Sequence, residues 1–109
     1  MAMITRFEEI QAWQEARKFV KMIYKLTNSG TLAKDFGLRD QIQRAFVSSM
    51  TNIAEGFDCE SKAEFARFLG FARRSAVEAQ SLRYTAFDIQ YITETEPKST
   101  TNRQGKQRR

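Results

Sequence analysis

Residues 61–89 read Ser61-Lys62-Ala63-Glu64-Phe65-Ala66-Arg67-Phe68-Leu69-Gly70-Phe71-Ala72-Arg73-Arg74-Ser75-Ala76-Val77-Glu78-Ala79-Gln80-Ser81-Leu82-Arg83-Tyr84-Thr85-Ala86-Phe87-Asp88-Ile89. Within them Phe65, Phe68, Leu69, Ala72, Ala76, Ala79, Leu82, Ala86 and Ile89 recur at steps of three and four, the period of one helix face. Ser61 and Glu64 have capping-box spacing, which gives the helix a defined start. A helix from Ser61 to about Asp88 would be roughly 40 Å long at 1.5 Å per residue. The small residues Ala72, Ala76 and Ala79 allow a second helix to approach closely. Phe71, Tyr84, Phe87 and Tyr91 lie off this stripe. Aromatics on more than one side predict burial on more than one side, against either another helix or another subunit, and these four are the candidate oligomer contacts.

Working outward, two further segments share the helical period, and no convincing run alternates like a strand. The segment from about Phe7 to Asn28 carries Ile10, Trp13, Phe19, Val20, Ile23, Tyr24 and Leu26 on one face. Thr5 and Glu8 supply capping-box spacing at its head, and Asn28-Ser29-Gly30 can end it, because Asn and Gly tolerate the left-handed turn. The segment from about Leu38 to Glu55 gathers Leu38, Ile42, Ala45, Phe46, Ser49, Asn52 and Ile53, with Gly56 expected as its C-terminal stop. The fold class read from these patterns is all-α.

Beyond residue 92 the composition changes. Thr93 and Glu96 give a third capping-box spacing, and Pro97 is compatible with a helix start. Lys98 to Arg109 then contain no apolar residue and cannot bury a face, so a fourth helix is started and given no body. The chain divides into a helical domain, residues 1–96, and a basic tail, residues 97–109, expected to be disordered. The charge divides at the same place. Of the net +5, all sits on Lys98, Arg103, Lys106, Arg108 and Arg109, while residues 1–97 hold 13 basic and 13 acidic side chains.

Absences exclude function classes. There is no His, so histidine-based catalysis and most zinc sites drop out. One cysteine, Cys59, permits no internal disulfide, and Asp58 and Glu60 beside it disfavour the thiolate. No apolar run approaches the roughly 20 residues that span a bilayer. There is no Gly-rich phosphate loop. We therefore expect no enzyme, no catalytic, cofactor or metal site, no small-molecule substrate and no membrane partner, and a cytoplasmic location.

The stretch Arg44-Ala45-Phe46-Val47-Ser48-Ser49-Met50-Thr51-Asn52-Ile53-Ala54-Glu55-Gly56, with Ser61-x-x-Glu64-Phe65-x-x-Phe68-Leu69 and the opening Phe7-Glu8-x-Ile10-x-x-Trp13-Gln14-x-Ala16, resembles a known pattern. It is that of the bacterial four-helix-bundle family whose founding members are encoded in intervening sequences of large-subunit ribosomal RNA genes. Tyr91-Ile92-Thr93 resembles that family's turn into its fourth helix. Ser49-Met50 stands where the family usually has Ile-Pro, so a proline kink is not expected here. The resemblance implies an antiparallel up-and-down bundle of three long helices, the fourth truncated or degenerate. It also implies a ring-shaped homopentamer, as in the related accessory proteins of diversity-generating retroelements, and contact with RNA or a ribonucleoprotein. The tail reads as a frameshifted or truncated end.

Two residue sets are candidate sites. Arg44, Ser48, Asn52, Glu55 and Gly56 are the family motif, read first as structural: Asn52 and Glu55 hydrogen-bond across the bundle or cap a neighbouring element. Arg39, Arg44, Lys62, Arg67, Arg73 and Arg74, with Arg83, could form a phosphate-binding strip, since Arg67 and Arg74 share a face. Asp40, Glu64 and Glu78 are interleaved with them, as on an ordinary neutral helix surface. The leading expectation is a non-enzymatic, self-associating bundle that binds RNA or a ribonucleoprotein. The alternative is a purely structural protein–protein scaffold with no nucleic-acid contact.

Overall fold

A computed structural model describes residues 3–93. The elements are α1 (Gln11–Thr27), α2 (Phe36–Phe57) and α3 (Lys62–Asp88), with single 3-10 turns at Phe7–Glu9 and Thr31–Lys34. There is no strand among the described residues. The third capping-box spacing, Pro97 and the 96/97 domain boundary lie outside them.

α2 is the central helix, with α1 and α3 packed on it. Contacts between helix ends set the directions. Gln43, near the start of α2, donates to Thr27 Oγ1 at the end of α1 over 2.8 Å. Gly56, near the end of α2, abuts Phe65 and Phe68 at the start of α3. Tyr91, just past α3, donates to Asp35, just before α2. Each consecutive pair therefore runs antiparallel.

The caps explain most boundaries. Asp35 Oδ1 accepts from Leu38 N at 3.2 Å, so α2 begins at Phe36, two residues before the Leu38 expected from periodicity. Ser61 Oγ accepts from Glu64 N at 3.0 Å and starts α3 as expected, although the Glu64 carboxylate accepts from Arg67 instead. α3 closes with Gln90 N donating to Phe87 O and Tyr91 N to Ala86 O. These are the paired bonds of a Schellman motif. Gln90 occupies the left-handed position, at φ 68°, usually given to glycine. Gly30, at φ 64° and ψ −155°, takes a conformation essentially closed to other residues and turns the chain out of α1.

Two expectations are corrected. The first helix does not start at Phe7: Ile10 is extended (φ −76°, ψ 122°), and α1 begins at Gln11. The Thr5–Glu8 box does not form, because Thr5 N donates to Glu9 Oε1 instead, and Phe7 packs edge-on against Trp13 with ring centroids 5.1 Å apart. Nor is Gly56 a helix stop, since α2 continues to Phe57. A β-carbon at Gly56 would lie 2.7 Å from Phe68 Cβ and 2.9 Å from Phe65 Cδ1. Gly56 is the point at which two helix backbones come closest, not a terminator.

The core is unequal along the bundle. At one end Ile23, Leu32, Ile42, Ala86 and Ile92 form a buried cluster, with Leu26, Leu38, Phe46, Leu82 and Tyr91 packed on it. Leu32 and Ile92 enter this cluster from the connection and from the chain beyond α3. Leu32 is 1% exposed, a burial that stabilises by about 2 kcal/mol. The buried residues of α3 are Ala72, Ala79, Arg83 and Ala86, small side chains for the most part, as the stripe predicted. Towards the other end nothing comparable among the described residues fills the space between α1 and α3.

Candidate nucleic-acid interface and the open groove

Five residues of the family motif sit on α2. Asn52 Nδ2 donates to Ser48 O (2.8 Å) and to Ser48 Oγ (3.1 Å), and Ser48 Oγ lies 3.0 Å from Ser75 Oγ on α3. This polar chain crosses the α2–α3 interface and gives half-buried hydroxyls partners, which removes a desolvation cost of about 1–3 kcal/mol each. Asn52 thus acts through Ser48 within its own helix, and Ser48 makes the crossing. Gly56 closes the same interface by close approach. Arg44 and Glu55 are exposed.

The candidate phosphate-binding residues separate into different environments. Arg39 is engaged: its guanidinium donates to Asp40 (3.0 Å) and to the Ala33 carbonyl (3.1 Å) and lies over the Phe36 ring at 4.7 Å. Arg83 is 5% exposed and donates to Gln80, so it does not belong to a surface strip. Lys62, Arg67, Arg73 and Arg74 are exposed on α3. Arg67 and Arg74 come together as their spacing predicted, both stacked near Phe71, at 5.6 and 5.1 Å from its centroid. Such contacts orient the two guanidiniums, and the donors of Arg74 are left to meet an anion. Glu64 accepts from Arg67 at 2.8 Å, and that hydrogen bond, with the carboxylate's charge, raises the guanidinium's pKa further.

The candidate oligomer contacts also divide. Tyr84 and Phe87 are exposed large apolar groups of α3. Phe71 is half-buried and packs edge-on against Phe68 at 5.6 Å. Tyr91 is half-buried against the core cluster, and its hydroxyl donates to Asp35 Oδ2 at 3.1 Å. That hydrogen bond, then burial, then the negative charge of Asp35 raise the phenol's pKa.

Two surface features were not read from the sequence as sites. One is a groove of about 370 Å³ between α1 and α3, floored by Phe46, Ser49 and Ile53 of α2. Ala12, Ala16 and Phe19 form one wall and Leu69, Ala72 and Ala76 the other, with Glu15 and Arg73 at the rim. Ala76, expected in the buried stripe, is exposed here. The other is a shallow cleft of about 680 Å³ along α1, lined by Arg17, Val20, Lys21, Tyr24 and Lys25 of that helix, Asn28 just past it and Met50 of α2. Cys59 is half-exposed in the α2–α3 connection, its thiol 3.5 Å from the Glu55 carbonyl. No helix among the described residues is long and apolar enough to cross a membrane.

A family model described as 23S rRNA-intervening sequence protein matches residues 8–107. The match includes residues 97–107, which composition had set apart as a tail. No curated protein matches the chain.

Proposed function

The chain belongs to the 23S rRNA-intervening sequence protein family, and from that premise we propose that it is a non-enzymatic, self-associating helical protein that binds RNA or a ribonucleoprotein. The observation that carries the nucleic-acid part is the Arg67–Phe71–Arg74 cluster. Two exposed guanidiniums are held against one ring on a helix, and arginine so oriented suits phosphate recognition. Arg44, Lys62 and Arg73 add exposed charge on α2 and α3, whereas Arg39 and Arg83 are committed within the fold.

We read the architecture as an up-and-down four-helix bundle of which the described residues supply three helices. The groove between α1 and α3 lies where a fourth helix would complete the layer, and Lys98 to Arg109 offer no apolar side chain to fill it. An uncovered apolar groove favours association with other chains. A homopentamer, as the resemblance implies, is one closed assembly that would cover such surfaces.

The test is RNA binding by the purified chain across a salt series. Arg67→Gln with Arg74→Gln should lower affinity and reduce the slope of log K against log[salt] by about 1.4, near 0.7 for each single-strand phosphate no longer neutralised. A chain with no salt-dependent RNA affinity would refute the proposal. The scaffold reading is favoured by the groove, and it would prevail if partner capture survived nuclease treatment while RNA affinity was absent. Light scattering decides self-association, and a monomer at micromolar concentration would end that part of the reading.

A further inference from the structure

The cleft along α1 differs from the arginine face of α3 in one physical respect: no acid lines it. Arg17, Lys21 and Lys25 follow each other at steps of four, so they stand on one side of the helix, about 6 Å apart along its axis. That separation is comparable with successive phosphates of an RNA strand. The one acid of α1, Glu15, pairs with Lys18 at 3.8 Å, off this row. Arg17 lies over the Trp13 ring at 5.4 Å, which orients it. Among the described residues neither Lys21 nor Lys25 forms an ion pair. Between them Tyr24 is 39% exposed and lines the same cleft, so its ring can receive a base. Asn28 ends the row: its Oδ1 accepts from Gln43 Nε2 at 3.4 Å, which leaves the amide nitrogen to donate.

We infer that this cleft is a binding site for a single-stranded RNA segment: Arg17, Lys21 and Lys25 track three phosphates, and one base stacks on Tyr24. A row of cations with an aromatic ring set among them is the arrangement by which single strands are held with little sequence preference. A duplex keeps its bases stacked and offers Tyr24 nothing. The inference rests on the RNA reading above and adds a second, separate surface to it.

The experiment measures fluorescence anisotropy of the full chain with a labelled oligouridine, an RNA duplex and inorganic polyphosphate, each across a salt series. Arg17→Gln, Lys21→Gln and Lys25→Gln together should cut the oligouridine salt slope by about 2. Tyr24→Leu should weaken oligouridine binding about tenfold and leave polyphosphate binding unchanged. All four positions are solvent-exposed, and circular dichroism of each variant checks that the helices persist. An unchanged oligouridine slope in the triple variant, with a reduced slope in the Arg67/Arg74 variant, would overturn this inference and leave the general RNA reading standing. Equal effects of Tyr24→Leu on oligouridine and polyphosphate would overturn it too, because the cleft would then be a polyanion strip. If the unaltered chain binds no RNA, both readings fall.

Discussion

Replacing Gly56 with alanine tests the packing argument directly, because the same chemical change at Gly70 has the opposite expected sign. At Gly56 the new β-carbon would lie 2.7 Å from Phe68 Cβ, 2.9 Å from Phe65 Cδ1 and 3.4 Å from the Phe65 carbonyl oxygen. Carbon atoms in comfortable contact sit about 3.5–4.0 Å apart. The Phe65 ring can turn aside, but Phe68 Cβ is fixed to the α3 backbone, so α2 and α3 must separate. Overpacking of this kind costs about 1–3 kcal/mol. Alanine recovers about 1 kcal/mol of helix propensity. The net loss is therefore about 1 kcal/mol and at most about 2 kcal/mol. At Gly70, inside α3, a β-carbon meets only Arg74 Nη1 at 4.0 Å, so the propensity gain remains. For a domain of this size 1 kcal/mol moves Tm by about 4–8 °C. Gly56→Ala should melt about 4–8 °C lower than the parent chain, and Gly70→Ala up to about 8 °C higher. Circular dichroism melts, run at one protein concentration because association would also shift Tm, check both. A Gly56→Ala chain as stable as Gly70→Ala would show that the close approach does not constrain the helices.

Two predictions concern the end of α3. Gln90 holds φ 68° at the Schellman position, so Gln90→Gly should stabilise by about 0.5–1 kcal/mol, and a lower Tm for that variant would count against the assigned turn. Tyr91 has a raised pKa through its bond to Asp35, so its stabilising contribution is complete below the ordinary tyrosine value of about 10 and is lost as pH rises through the folded-state value. The stability gap between the parent chain and Tyr91→Phe, followed by urea midpoints from pH 7 to 11, should narrow on the alkaline side; a gap that stays constant would rule out the hydrogen bond as its source.

The three helices were legible because each carries a long period and some of their ends fall on residues with local chemistry. Ser61 and Gly30 do what their types require, whatever surrounds them. The errors arise where one residue type serves two purposes. Gly56 has the spacing of a C-terminal stop, yet its lack of a side chain is used sideways, against Phe65 and Phe68. Phe57 at the next position, four residues after Ile53, was the available signal that the helical face continued. Thr5 and Glu8 satisfy the capping-box pattern, but Glu9 takes the Thr5 amide and Phe7 meets Trp13, so a tertiary contact overrides a local one. Leu32 carries no periodic signal, because it stands in the connection between α1 and α2. It lies between Gly30 and Gly37 with few apolar neighbours, and only the three-dimensional junction shows it as the most enclosed large side chain of the core cluster, alongside Ile42.

The basic cleft on α1 is hidden by averaging. Equal numbers of acids and bases over residues 1–97 describe a sum, whereas binding depends on where the charges stand. Arg17, Lys21 and Lys25 carry no acid between them on their face. The same helix presents Ala12, Ala16 and Phe19 to the apolar groove, and the groove and the cleft share no lining residue. That division has a consequence for assembly. Chains that associate by covering the groove need not cover the basic cleft, since the two have no lining residue in common. Several weak phosphate tracks would then be displayed at fixed spacing, and once one is engaged the others act at high effective concentration. A cleft with only three cations is a weak site by itself. Self-association through the groove is thus the physical condition under which the cleft on α1 could hold RNA firmly, which joins the two halves of the proposed function in one helix.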